Sequence, residues 1–229
     1  MKTKKGKEAH VTTIPSTDFS LEDLTDFWQI NGINYRNGVY QVDLDKELLD
    51  NKASKTQDQW VEFSREAQSK GEFYPGDMQL YHSLFTSLFK NKDSSYKNKI
   101  EQARQFLQES MKDYWLMTLS RIKYTKQGKD LVIHNYDMQD KLEIEENIVG
   151  LDGYITQINP QNELKAVLGS NNINEINQVY NWITEKDLYL WRLNSKPEEN
   201  DERVVGLGSG SDGAYLVCLG DPDGSDRAL

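Results

Sequence analysis

Leu119-Ser-Arg-Ile-Lys-Tyr-Thr-Lys-Gln-Gly-Lys-Asp-Leu-Val-Ile-His134 is where the apolar pattern of this chain changes its period. Before it, apolar residues recur at helical spacing. From Leu119 onward they alternate, which sends successive side chains to opposite faces of a strand. Residues 120–125 and 130–136 read as two strands joined by Lys126-Gln-Gly-Lys129. The boundary also divides the charge. The chain carries 27 Lys and Arg against 37 Asp and Glu; residues 1–125 hold 18 of each, leaving 9 against 19 beyond them.

Downstream, residues 141–149, 154–158, 163–168, 188–193, 203–207 and 214–219 continue the strand set, and sequential antiparallel pairing is the economical arrangement. One helix interrupts it. Asn172-Ile-Asn-Glu175 has capping-box spacing, and Ile173, Ile176, Val179, Tyr180 and Ile183 share a face.

Upstream, Ser20-Leu-Glu-Asp23 predicts a short helix over 20–30, capped by Ser20 and stopped by Asn31-Gly32. Residues 33–42 read as a hairpin, since Asn37-Gly38 suits the two positive φ values of a type I′ turn. Three helices follow. Residues 56–70 end at Gly71, a left-handed cap. Residues 78–90 carry Tyr81, Leu84, Phe85, Leu88 and Phe89 on one face. Residues 95–115 carry Ile100, Ala103, Leu107 and Met111, a stripe expected to pack on that face as a helical hairpin. The fold class is α+β: an N-terminal helical layer, about 19–118, with a small β-hairpin, packed on a mainly antiparallel, acidic C-terminal sheet, about 119–229. Residues 19–229 are read as one domain and 1–18 as a disordered basic tail.

With 229 residues, 37% of them apolar, and five Trp and twelve Tyr, the chain can bury a substantial core. Its longest apolar run is six residues, Ala214-Tyr-Leu-Val-Cys-Leu219, far short of the roughly 20 that a membrane helix needs. The basic start, Met1-Lys-Thr-Lys-Lys-Gly-Lys7, is not followed by the apolar stretch of a signal peptide. A single cysteine, Cys218, agrees with a reducing compartment, so the chain is expected in the cytoplasm, with no membrane partner. A net charge of −10 argues against sequence-independent nucleic-acid binding.

Motifs with chemical potential are few, and each has a plainer structural reading. Gly208-Ser-Gly-Ser-Asp-Gly213 matches a dinucleotide fingerprint, but a strand pattern follows it where a helix is required, so a hairpin loop is expected. Asp221-Pro-Asp-Gly-Ser-Asp226 resembles a calcium loop only superficially, since the ligand register fails and the Pro-Asp-Gly turn explains it. Cys218 sits in an apolar run, where a thiol is a small buried hydrophobe rather than a nucleophile. No cofactor or metal site is expected.

Three functional readings follow. The first is a cytoplasmic, non-enzymatic protein-interaction module whose acidic sheet surface, Glu143/Glu145/Glu146 and Glu198/Glu199/Asp201/Glu202, meets a basic protein partner. The second is a small hydrolase-like enzyme using His134, Asp137 and Asp140, which requires those side chains to converge in one pocket; otherwise His134 is an exposed residue at a strand end. The third is a ligand groove lined by Tyr189, Trp191 and Leu193, which requires Tyr189 and Trp191 to be exposed.

Overall fold

The computed structural model describes Thr12–Thr13 and residues 18–229, so the expected basic tail falls almost wholly outside it. Among the described residues, a smaller sheet has the order β1-β4-β3-β2, formed by β1 (Thr12–Thr13), β2 (Ser20–Asp23), β3 (Phe27–Tyr35) and β4 (Gly38–Asp45). The helix expected over 20–30 is therefore corrected to β2 and the first part of β3. The alternation that decides it is Trp28/Ile30 and then Ile33/Tyr35, all buried, with the register broken between the two pairs. Asn31-Gly32, read as a helix stop, is that irregularity. Gly32 takes φ 77° and lies so close to the backbone of Asp18 and Phe19 that a Cβ would sit 2.9 Å from them. The β3–β4 hairpin exists as expected, but Tyr35 pairs with Gly38, so its two-residue loop is Arg36-Asn37 and Arg36 takes the positive φ of 50°.

A short turn, α1 (Leu49–Lys52), leads to α2 (Gln57–Lys70), α3 (Met78–Lys90) and α4 (Lys97–Asp113). Thr56 closes a full capping box with Gln59 at the start of α2, and Gly71 ends it in the left-handed conformation. Tyr81, Leu84, Phe85 and Leu88 of α3 are buried, and so are Ile100, Ala103, Leu107 and Met111 of α4. The two stripes do not form the expected helical hairpin. Helix α3 packs mainly on β3 and on α7 (Ile173–Thr184), whereas α4 packs on α7 and β10 (Asp201–Ser209). They share a core through α7, as the Phe89–Trp182 ring contact at 5.8 Å illustrates.

The larger sheet has the order β7-β6-β5-β10-β11-β9-β8. Its other strands are β5 (Leu116–Tyr124), β6 (Asp130–His134), β7 (Leu142–Glu146), β8 (Gly153–Tyr154), β9 (Leu188–Trp191) and β11 (Ala214–Gly220). Pairing is antiparallel except for β11 with β9, which is parallel. Two expected strands are corrected. Residues 155–158 form the single turn α5 (Ile155–Ile158), and 163–168 belong to α6 (Gln161–Leu168). Pro160 precedes α6 and Gly169 caps it at φ 78°, while buried Leu164, Val167 and Leu168 fit a helical face rather than alternation. The α+β class stands, with α1–α4 preceding the large sheet in sequence and α5–α7 inserted between β8 and β9.

The two faces of this sheet are covered differently. The inner face carries Ile122, Tyr124, Val132, Leu188, Leu190, Leu216 and Cys218 into one large core shared with α3, α4, α6, α7 and the smaller sheet. On the outer face α2 covers β5 with a second cluster built from Trp60, Val61, Met117, Leu119 and Val204. Residues 226–228 seal the edge of that cluster, and Leu229 enters the main core. Trp60 donates its indole N–H to the Asp226 carbonyl (2.9 Å), Met117 N–H to Arg227 O (2.8 Å), Leu49 N–H to Ala228 O (3.0 Å), and the Tyr81 hydroxyl donates to Leu229 O (2.8 Å). No helix among the described residues is long and apolar enough to cross a membrane.

Candidate functional site

His134, Asp137 and Asp140 do not converge. Alternation on β6 sends His134 inward with Val132, and the side chain is completely buried rather than exposed at a strand end. The Met78 N–H donates to Ser120 Oγ (2.9 Å), so the Ser120 hydroxyl proton points to His134 Nδ1 (2.9 Å), and His134 Nε2–H donates to Ala166 O (2.9 Å). Burial pushes the imidazole pKa down, which favours the neutral ring that these hydrogen bonds require. Nearby Asp77 completes no triad. Its carboxylate caps α3 at Leu80 N–H and accepts from the Tyr35 hydroxyl (2.5 Å) and Arg36 (2.8 Å). Asp137 and Asp140 lie on the surface, paired with Arg65 and Asn135 respectively. His10 lies outside the described residues.

The other motifs resolve simply. Gly210, Ser211, Asp212 and Gly213 form the loop of the β10–β11 hairpin, closed by the Ser209–Ala214 pair. Asp221 accepts the Gly224 N–H in a tight turn, and no group of three or more His, Cys, Asp or Glu among the described residues could hold a metal. Cys218 is fully buried on β11, and burial raises its thiol pKa to about 12. The acidic clusters are partly neutralised within the chain: Glu143 pairs with Lys141, and Glu202 bridges Arg121 and Lys123. Glu145, Glu198 and Glu199 remain exposed.

What the sheet does assemble is an aromatic groove on its outer face, beyond the reach of α2. Strand register sets it out in two rows. Tyr154 of β8 pairs with Tyr189 of β9, which pairs with Tyr215 of β11, which faces Gly208 of β10. In the next row Trp191 pairs with Val217, which faces Gly206, which pairs with Met117. The central strand thus contributes two glycines where its neighbours contribute large side chains, and the result is a trough. Trp115, just before β5, lies across Gly208 so closely that a Cβ there would sit 2.5 Å from its ring. The rings form a continuous set: Trp115–Tyr215 at 5.8 Å, Trp191–Tyr215 at 5.7 Å, Tyr189–Trp191 at 6.1 Å and Tyr154–Tyr189 at 5.2 Å.

Trp115 and Trp191 are 45% and 41% exposed, among the very few large apolar side chains the described surface presents. The groove offers about 220 Å³, and among the described residues the charged side chains lining it are Asp221 and Asp226. Burial pushes the Asp226 carboxyl above the ordinary range, against the opposing influence of Arg227. Of the expected groove residues, Trp191 is exposed and lines the groove; Tyr189 is half-buried and reaches it only through its ring contact with Trp191, and Leu193 lies beyond β9 and packs against the main core instead. Trp115, Tyr215 and Tyr154 were missed. Their signal in sequence is only that each falls on the outward parity of its strand, which becomes meaningful once the strand order is known. No known protein family matches the sequence, and neither a curated protein nor a solved structure matches the chain.

Proposed function

We propose that this protein is a non-enzymatic cytoplasmic binding module whose aromatic groove takes an Arg- or Lys-bearing segment of a basic protein partner. The observation that carries the reading is the half-bare sheet face. Apolar sheet surface is ordinarily covered, and here Trp115 and Trp191 stand exposed beside Gly206 and Val217, with the half-buried Tyr215 ring in contact with both. Exposed tryptophans flanking a cleft are what an interface anchor looks like, and Trp is enriched where binding energy concentrates. The charge selects the occupant. With a net charge of −10 and the carboxylates of Asp221 and Asp226 lining the groove, a basic segment is attracted and a polyanion repelled. The stem of an Arg or Lys could lie along Val217 and Gly206, its head near Asp221, with indole faces available for cation–π contact.

The test uses three synthetic peptides of one length: arginine-rich, lysine-rich, and a version with every arginine replaced by neutral citrulline. Tryptophan fluorescence and calorimetry should report binding of the two basic peptides, weakened by salt, with the citrulline peptide at least about tenfold weaker. Trp191→Ala should reduce binding to a similar degree. Equal affinity for the citrulline peptide, or unchanged affinity in a Trp115→Ala/Trp191→Ala double variant, would refute the reading, as would preferential binding of an oligosaccharide.

A further inference from the structure

A second cleft lies on the opposite side of the molecule's main core, between α3 and the turn that joins α6 to α7. It is open to solvent and offers about 250 Å³, a little under the roughly 300–1,000 Å³ of drug-sized sites and so suited to a smaller ligand. His82, Ser83, Thr86, Ser170, Lys90 and Glu175 line it, so its walls are polar where the aromatic groove is apolar.

Polar groups are left unpaired here. His82 is 5% exposed, yet its Nδ1 makes no hydrogen bond; Thr86 Oγ1, one helical turn on, is also buried without a partner. Tyr180 stacks flat on the His82 ring at 5.9 Å, and its own hydroxyl is unpaired as well. Buried polar atoms in folded proteins almost always find partners, so the two orphans on residues lining the cleft, His82 Nδ1 and Thr86 Oγ1, mark a place where partners come from outside the chain. His134, equally buried, has both ring nitrogens bonded.

We propose that this cleft binds a small, neutral, polyhydroxylated molecule such as a monosaccharide. The lining supports that class over a charged one. Lys90 and Glu175 neutralise each other at 2.7 Å, which leaves no net charge to select an ion. Burial pushes the His82 imidazole down to about 4, so the ring is neutral and offers one donor and one acceptor. Serine and threonine hydroxyls likewise give and accept. Gln79, which also lines the cleft, donates its amide N–H to Ala166 O (3.2 Å). A sugar hydroxyl, donor and acceptor at once, matches such a surface; a carboxylate or phosphate would need a cation that Glu175 already holds.

Histidine-selective NMR on the intact protein tests this. Glucose, galactose, ribose and myo-inositol are titrated to tens of millimolar, with inorganic phosphate and glycine betaine as charged controls. At least one of the four polyols should shift the His82 ring resonances saturably while leaving those of His134 in place. His82→Phe, which keeps the stacked ring on Tyr180, and Thr86→Val, which keeps the shape, should each weaken that sugar at least tenfold by calorimetry. No response to any polyol overturns the proposal, as does a response to phosphate or betaine alone, or wild-type affinity in the folded Thr86→Val protein. The aromatic groove is untouched by these variants, so its peptide binding should persist.

Discussion

The outer face of the large sheet is two surfaces on one set of strands. Over β5, side chains that point outward, Met117 and Leu119, are buried beneath Trp60 and Val61 of α2. Over β9 and β11, the side chains of the same parity, Trp191 and Tyr215, have no helix above them. Both halves are apolar, so hydrophobicity alone does not separate core from site. The difference is whether the chain itself supplies a lid. Where it does, the outward residues are aliphatic and packed; where it does not, they are aromatics with polar tips, which tolerate water at one edge and present a flat ring to a ligand.

The largest effect that contrast predicts is on thiol chemistry along β11, whose alternate residues face the closed and open sides. Cys218 points into the main core, and raising its pKa from 9.0 to about 12 lowers its thiolate fraction about a thousandfold at neutral pH. A thiol reagent should modify it only after unfolding, whereas a cysteine introduced by Val217→Cys should react at once in native protein. Rapid labelling of Cys218 in the folded wild type would erase the distinction between the faces.

Next comes stability. Trp60→Ala should cost about 3–5 kcal/mol, since it empties the sealed half and removes one of the two donors to the Asp226 carbonyl, the Lys55 N–H being the other. Trp191→Ala should fall within about 0.5 kcal/mol of wild type in denaturant melts, as exposed positions do. If the two losses were equal, the open half would be a structural element rather than a binding surface.

A smaller effect concerns the polar cleft. His82 is depressed to about 4 in the folded chain, mainly by burial, with Glu175 opposing and Lys90 reinforcing. The unfolded chain therefore takes up a proton near the ordinary histidine range that the folded chain refuses. Stability from this group is complete above about pH 6.5 and falls by up to about 1.4 kcal/mol per pH unit as acid carries it toward pH 4. His82→Phe should flatten the stability profile between about pH 6.5 and pH 4 by that slope, leaving the contribution of His134, also depressed, in place. An unchanged profile would mean that His82 is charged or solvated in the native protein.

Much of the helical part was legible in sequence because capping chemistry and periodicity agreed. Thr56 and Gly71 bracket α2, Met78 to Lys90 is α3, and Asn172 caps α7 through the Glu175 N–H. Misreadings arose where a short apolar run fits both periods. Leu21, Leu24, Phe27 and Trp28 match a helical face, yet β3 continues past Gly32 to Tyr35, and pairing with β4 outweighed the local signal. In 163–168 the reverse occurred, with Pro160 and Gly169 supplying helix punctuation that alternation concealed. The groove was half visible, through Trp191 and its ring neighbour Tyr189. Its other walls come from Trp115 and Tyr215, about 75 and 25 residues away in sequence, and only the order β5-β10-β11-β9 sets them side by side. The polar cleft left no trace, because an unpaired imidazole is a fact of packing and not of spacing.

The clasp made by residues 226–229 has a temporal meaning as well. Asp226 receives the Trp60 indole across 166 residues of chain, and Leu229 receives the Tyr81 hydroxyl across 148. Contacts so distant along the chain form late and slow folding. On a ribosome, α2 and β5 emerge long before the residues that seal them. Until residues 226–228 clear the exit tunnel, the edge of the Trp60 cluster stays unclosed, and the nascent chain exposes a hydrophobic surface that the folded protein hides.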